Sequence, residues 1–418
     1  MVDTDDTSSA ASTTGAVDTT NGSSGVGSST SPSDTDEDTE TDGLPDYTDS
    51  PCWGSLSNTL VYNGMTHQIS ETPATCRAEG DHVLLYVMDE LWETDVEQTE
   101  VNRLMHQLEL FSPEGSVNPD QGVILNNEDI FGAMPIDQFP EGKLAIFIVD
   151  TAGVGNGYLC GWCDYPQIHM DGVQLEPLDG DFSVSIAAHE AYHVIHRGID
   201  SDETRWVDES LAEAAMTANG FFTDTDWLAS FLANPDQNWG PGDPPIGDFN
   251  YGGALLWGSF LWERGGIPLM TAITAEPADD WAGLDAALAT VGDDADAWSL
   301  YLDMIVAVYL DAPELGYGFE SFEVPPVAMQ SELMAGMVEV GGLYPYGIDY
   351  FPIADQGALV IGLSPTTAEP VEGRVVVVGD TVEVVPLEAM TAVEVGPGDT
   401  AFVALTARGS AGYELSMD

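Results

Sequence analysis

Between Phe182 and His196 the chain runs Phe-Ser-Val-Ser-Ile-Ala-Ala-His-Glu-Ala-Tyr-His-Val-Ile-His, with Glu190 its one formally charged side chain. Ile186, Ala187, Ala188, Ala191, Val194 and Ile195 surround the polar positions. Apolar residues on every side of a helical segment mean that the helix is buried rather than laid on a surface. The whole chain carries 72 acidic and 8 basic residues, so an almost uncharged stretch of this length stands out. The fold has to be built around it.

The polar residues inside that helix point to chemistry. His189 and His193 lie one turn apart on one face, and two imidazoles at that spacing can reach one Zn²⁺. Glu190 is rotated about 100° from His189. From there it can approach a metal-bound water without being a ligand. The chain has seven histidines in all, so two of them beside a glutamate in one apolar helix are poorly explained as packing. His196 falls one position off the metal face and is not assigned as a ligand. His169, after a Gly-rich loop, is a pocket-lining residue at most.

A zinc site needs a third protein ligand. A histidine six residues after His193 is one solution, but position 199 is Ile. Sixteen residues after His193 comes Glu209, in Trp206-Val-Asp-Glu-Ser-Leu-Ala-Glu213. Glu209 and Glu213 share a helix face, and Val207, Leu211, Ala214 and Ala215 make the surroundings apolar. Two carboxylates on a buried face are costly unless paired or metal-bound. Glu209 as third ligand and Glu213 as acceptor for a ligand imidazole N–H satisfy both. The competing reading is an exposed acidic face in an acidic protein.

His-Glu-x-x-His followed by Trp-x-x-Glu-x-x-Ala-Glu resembles the gluzincin metallopeptidases. Among them are the aminopeptidase-N-like enzymes; the hyicolysin-like and immune-inhibitor-A-like secreted peptidases are closer in layout, and thermolysin is more distant. The resemblance implies a zincin-like catalytic domain, zinc held by His189, His193 and Glu209, and Glu190 as general base. It departs from the aminopeptidases in Asp208 for Asn, Ser210 for Gly and a shorter gap to Glu209. Downstream, Asn250-Tyr251-Gly-Gly and the following segment to Gly265-Gly266 resemble the aminopeptidase helix whose tyrosine hydrogen-bonds the tetrahedral intermediate. The resemblance gives Tyr251 that role; the alternative is a structural tyrosine at a helix start. It covers about residues 80–312.

The remaining chain sets the organisation. Residues 1–50 hold 21 Ser or Thr and 12 acids without a base. Such a segment buries too little to offset its ordering entropy, and is expected to be a disordered linker. It resembles the tether behind the lipid-bearing cysteine of bacterial surface lipoproteins. Asp34 to Gly43 has the spaced carboxylates of a degenerate Ca²⁺ repeat, but an unstructured acidic linker is the better explanation. Residues 51–340 form the expected catalytic domain, a mixed sheet over 51–180 followed by helices over 181–340. Short strands at 358–361, 375–378, 382–385, 392–395 and 402–405 predict a β-sandwich over 341–418. The fold class is therefore α+β with a C-terminal all-β unit.

Charge and cysteines bound the partners. With a formal net charge of −64 and Lys143 as the one lysine, no basic patch for nucleic acid can be assembled. No apolar run of 18 residues spans a bilayer. Cys52, Cys76, Cys160 and Cys163 allow three disulfide pairings; the simplest is Cys52–Cys76 with Cys160–Cys163, in an extracellular or cell-surface setting. A thiol redox role for Cys160-Gly-Trp-Cys163 would need a helix start that the flanking glycines and aromatics do not supply. The expected function is zinc-dependent hydrolysis of a peptide or protein substrate. The alternative is a non-catalytic surface protein that binds glycan or protein through its sandwich.

Overall fold

The computed structural model describes residues 45–175, 177–223, 225–242, 244 and 249–418. The Asp34–Gly43 stretch and nearly all of the expected linker lie outside these. The last linker residues are structured: Tyr47–Asp49 form a 3₁₀ turn and Tyr47 packs on the main core.

The first half of the chain is a six-stranded sheet covered by helices. Its strands are β1 (Leu56–Asn63), β2 (Gln68–Glu79), β3 (Val83–Met88), β4 (Leu144–Val149), β5 (Gly157–Leu159) and β6 (Gln167–Asp171), in the order β1-β2-β3-β4-β6-β5. β3, β4 and β6 run parallel; β1, β2 and the outermost β5 are antiparallel to their neighbours. Helices α1 (Gln98–Glu109) and α2 (Val123–Phe131) make the crossover from β3 to β4, as parallel strands require. Strands β3 and β4 were legible as continuous apolar runs, the pattern of a strand covered on both faces. One face of β4 places Ile146 and Ile148 on the helical core, while Phe147 and Val149 join a smaller cluster with Val61 and Ala74 behind the sheet.

The buried helix is α3 (Asp181–Ile199), with every residue from Ser183 to His196 buried. Asp181 sits at its positive N-terminal end and Arg197 at its negative C-terminal end, both favourable to the macrodipole. It packs against α4 (Arg205–Ala218), which in turn lies on α6 (Tyr251–Thr274); α5 (Thr225–Ala233), α7 (Asp280–Val291) and α8 (Ala297–Leu310) complete the layer. Close contact between α4 and α6 depends on Gly258, where a Cβ would fall 1.8 Å from the Ser210 carbonyl oxygen. Helix α6 breaks at the Gly265-Gly266 pair that ends the segment singled out in the sequence: Gly266 has φ 53° and ψ −153°, and a second helical piece carrying Pro268 continues to Thr274.

The helices end at Leu310, apart from a 3₁₀ turn at Pro313–Leu315. The β unit already begins inside the span expected to be helical, with β7 (Met337–Leu343). It continues with β8 (Ile348–Ile353), β9 (Gly357–Pro365), β10 (Glu372–Val378), β11 (Val382–Pro386), β12 (Thr391–Val395), β13 (Thr400–Thr406) and β14 (Ala411–Met417). They form two four-stranded sheets, β11-β10-β13-β8 and β12-β9-β14-β7. Val375, Val403 and Leu405 from one meet Leu359, Ile361 and Leu415 from the other in a common core.

The outer face of the first sheet is also buried. Tyr350, Val376 and Phe402 belong to the helical core, Phe402 stacks on Tyr309 at 3.8 Å between ring centres, and the Tyr350 hydroxyl donates to the Ile305 carbonyl at 2.8 Å. The all-β unit is thus seated on α8 rather than hung from a linker. Among the described residues, no helix is long and apolar enough to cross a membrane.

Candidate metal centre

Helices α3 and α4 bring three side chains to one point. The Nε2 atom of His189 lies 3.3 Å from Oε2 of Glu209, and Nε2 of His193 lies 3.8 Å from the same oxygen. The three candidate ligand atoms all fall within 4.8 Å of one another. His189, His193 and Glu209 are 4%, 1% and 3% exposed, so burial alone would not place three polar groups here without a partner.

The outer nitrogens of both imidazoles face carboxylates. Nδ1 of His189 lies 3.3 Å from Oε1 of Glu213, and Nδ1 of His193 lies 2.9 Å from Oδ2 of Asp208. In the neutral ring, a carboxylate beside Nδ1 favours the tautomer with its hydrogen there, so that Nε2 can act as a lone-pair donor once a cation displaces its proton. Burial alone would push the His189 imidazole down, but Glu209 and Glu213 beside it hold it well above its ordinary value. Burial would likewise raise the Asp208 carboxyl; His193 and His196 hold it well below the carboxylate range.

The residue set fits a zinc ion. Ligands about 2.0–2.1 Å from a tetrahedral zinc stand about 3.3 Å apart, close to the 3.3 and 3.8 Å separations found here. Oε2 of Glu209, the atom on which both imidazoles converge, is buried and forms no well-aligned hydrogen bond. A buried carboxylate oxygen left in that condition costs free energy, and a cation between the three atoms removes the cost.

Glu190 follows His189 on α3 and is 3% exposed. It faces β5. A Cβ on Gly157 would stand 3.2 Å from both Cγ and Oε1 of Glu190 and 2.6 Å from Cγ2 of Ile186. Glycine therefore sets how closely the sheet edge approaches Glu190. The pairing of Cys160 with Gln167 and of Asn156 with Asp171 makes the hydrogen-bonded positions of β5 even-numbered. The main-chain groups of Leu159 consequently turn away from β6.

Tyr251 opens α6, where the Asn250 side chain caps the helix by accepting from Gly252 N–H at 2.9 Å. Its ring lies 6.3 Å from that of His189 and packs on Phe249 at 5.0 Å and Trp227 at 5.6 Å. All five residues singled out in the sequence, His189, Glu190, His193, Glu209 and Tyr251, thus come to one region, with Glu213 behind His189.

Sequence reasoning missed Asp208 as the partner of His193, and Gly157 on the strand facing Glu190. Asp208 was visible only as a departure from a motif. Strand β5 is three residues long and leaves no periodicity to read. His169 is not at this site. It lies on β6, wholly buried, with Nε2 2.9 Å from the Thr59 hydroxyl and Nδ1 2.7 Å from the Tyr158 hydroxyl. Both disulfides are the simplest pairing, Cys52–Cys76 and Cys160–Cys163.

No protein-family model and no curated protein sequence matches the chain. Among solved structures, the pre-peptidase C-terminal domain of a collagenase from Bacillus anthracis is matched over all of its own length and 22% of this chain, at 13% identity and a TM-score of 0.18. A family GH115 4-O-methyl-α-glucuronidase with specificity for decorated arabinogalactans is matched over 57% of this chain and 38% of its own, at 8% identity and a TM-score of 0.15. Neither likeness is close enough to bear on the fold or the site.

Proposed function

We propose that the chain is a zinc-dependent peptidase of gluzincin type with a zincin-like catalytic domain, acting on peptide or protein substrates outside the cell or at its surface. The observation that carries this reading is the convergence of His189 Nε2, His193 Nε2 and Glu209 Oε2 within 4.8 Å in a buried spot, with Glu190 adjacent on the same helix. His189, His193 and Glu209 would hold the ion. Zinc bound there supplies Lewis acidity and a lowered pKa for a coordinated water.

The other steps belong to the protein. The Glu190 carboxylate takes the proton of the attacking water and delivers it to the leaving amine. An extended substrate adds to the sheet beyond β5, where the Leu159 main-chain groups turn outward. Tyr251, beside His189, donates its hydroxyl hydrogen to the oxyanion. The two disulfides support an oxidising compartment.

The test is hydrolysis of a quenched fluorescent peptide library by the full chain, with and without chelator, for wild type and Glu190→Gln. Wild-type cleavage that the chelator abolishes is expected. The variant should retain bound zinc and lose a factor of about 10²–10⁴ in rate. A variant that cleaves like wild type would refute the role of Glu190.

A further inference from the structure

His196 lies one turn beyond His193 on α3 and is 1% exposed. Its Nδ1–H donates to Oδ1 of Asp208 at 2.6 Å, while the other oxygen of Asp208 is 2.9 Å from Nδ1 of His193. One carboxylate thus hydrogen-bonds one imidazole and stands at ion-pair distance from a second. The Tyr192 hydroxyl stands 2.8 Å from the same His196 nitrogen, and the Tyr192 ring packs edge-on against Phe131 at 4.7 Å. Nε2 of His196 is buried without a hydrogen-bond partner. The polar engagement of the ring is therefore all at Nδ1, and a bare Nε2 favours the tautomer that carries its hydrogen on Nδ1, the one that can donate to Asp208.

This arrangement does more than pair charges. Asp208 is on α4 and precedes Glu209, while His193 and His196 are both on α3. A carboxylate facing a single cationic partner can rotate away from it; the hydrogen bond from His196 at Oδ1 keeps Oδ2 turned toward His193. Fixing Asp208 orients the His193 ring and also pins the first turns of α4, and so Glu209, against α3. Outer groups of this kind commonly govern how tightly a metal is held.

The geometry points to His196 as a positioning residue that, acting through Asp208, holds His193 and Glu209 in their metal-binding arrangement. This rests on the reading of His189, His193 and Glu209 as the ligands. His196 touches neither metal nor substrate, so its effect must pass through Asp208. That requirement separates it from a residue that merely fills space.

The experiment is zinc affinity of the full chain, measured by competition with a chromophoric chelator and without substrate. His196→Phe keeps a ring and removes the donor; it should weaken zinc binding by about 10–100-fold. His196→Asn, whose amide can donate in place of Nδ1–H, should restore most of the affinity. In an Asp208→Ala background, His196→Phe should cause no further loss, because the two act as one unit.

Wild-type affinity in His196→Phe, or an equal loss with and without Asp208, would overturn the inference and leave the metal centre standing. A wild-type chain that binds no zinc would overturn the metal centre and the inference together. Should the Phe variant fail to fold, Asp208→Asn carries the test. It should weaken zinc, and His196→Leu, which removes the donor, should change nothing more when added to it; a further drop would overturn the inference.

Discussion

Gly157→Ala adds one methyl group at the point where the sheet edge meets the candidate base. The new Cβ would stand 2.6 Å from Cγ2 of Ile186 and 3.2 Å from Cγ and Oε1 of Glu190. Carbon atoms rest at about 3.5–4.0 Å, so Ile186 must retreat by roughly 1 Å or β5 must move out. Ile186 is 7% exposed and sits one turn before Glu190 on α3, so little empty space receives it. Overpacking of this kind costs about 1–3 kcal/mol. Denaturant unfolding of wild type and variant reads that term. A displacement of about 1 Å at a reacting group can cost about 10²-fold in rate, and peptide hydrolysis reads that second term. A Gly157→Ala protein with wild-type stability and turnover would refute the claim that this glycine sets the distance between strand and base.

Two further tests address other sites. Tyr251→Phe keeps the ring and its packing on Phe249 and Trp227, so zinc binding should persist while kcat falls about 10²–10³-fold with little change in KM; normal kcat would return Tyr251 to a helix-start residue. Burial holds the His169 imidazole down to about 3, far below its ordinary 6.5. Its contribution is complete above the ordinary value and is lost as pH falls from there toward the folded one, because the unfolded chain takes up a proton that the folded chain refuses. His169→Asn has no such proton. The stability gap between wild type and this variant, both with chelator, should therefore close by about 2 kcal/mol between pH 7 and pH 5; a constant gap would contradict the burial account.

Elements with strong local signals were legible in the sequence. Helix α3 was, because its apolar residues leave no exposed face, and so was the pairing of Glu209 with Glu213 on α4. Strands β9 to β13 were legible from short β-branched runs between turns. Strand β8 was not: its Tyr350 and Phe351 carry a Pro352 beside them, and its outer face is buried by α8 rather than by the partner sheet. Strands β1 and β2 were hidden because β1 mixes polar and apolar residues and is mostly half-buried, while the start of β2 is exposed and polar, so hairpin pairing rather than a burial pattern defines them. At the site, the residues were readable by spacing along one helix. The bridge from His193 through Asp208 to His196 was not, since it exists only once α3 and α4 pack.

On this reading His189, His193 and Glu209 hold one metal ion. The most direct measurement is metal content of the purified full chain by elemental analysis, wild type beside His193→Ala. One zinc per chain in the wild type and none in the variant is the predicted result, since two protein ligands rarely retain zinc. Full occupancy in His193→Ala, or no metal in a wild-type chain supplied with zinc, would contradict it.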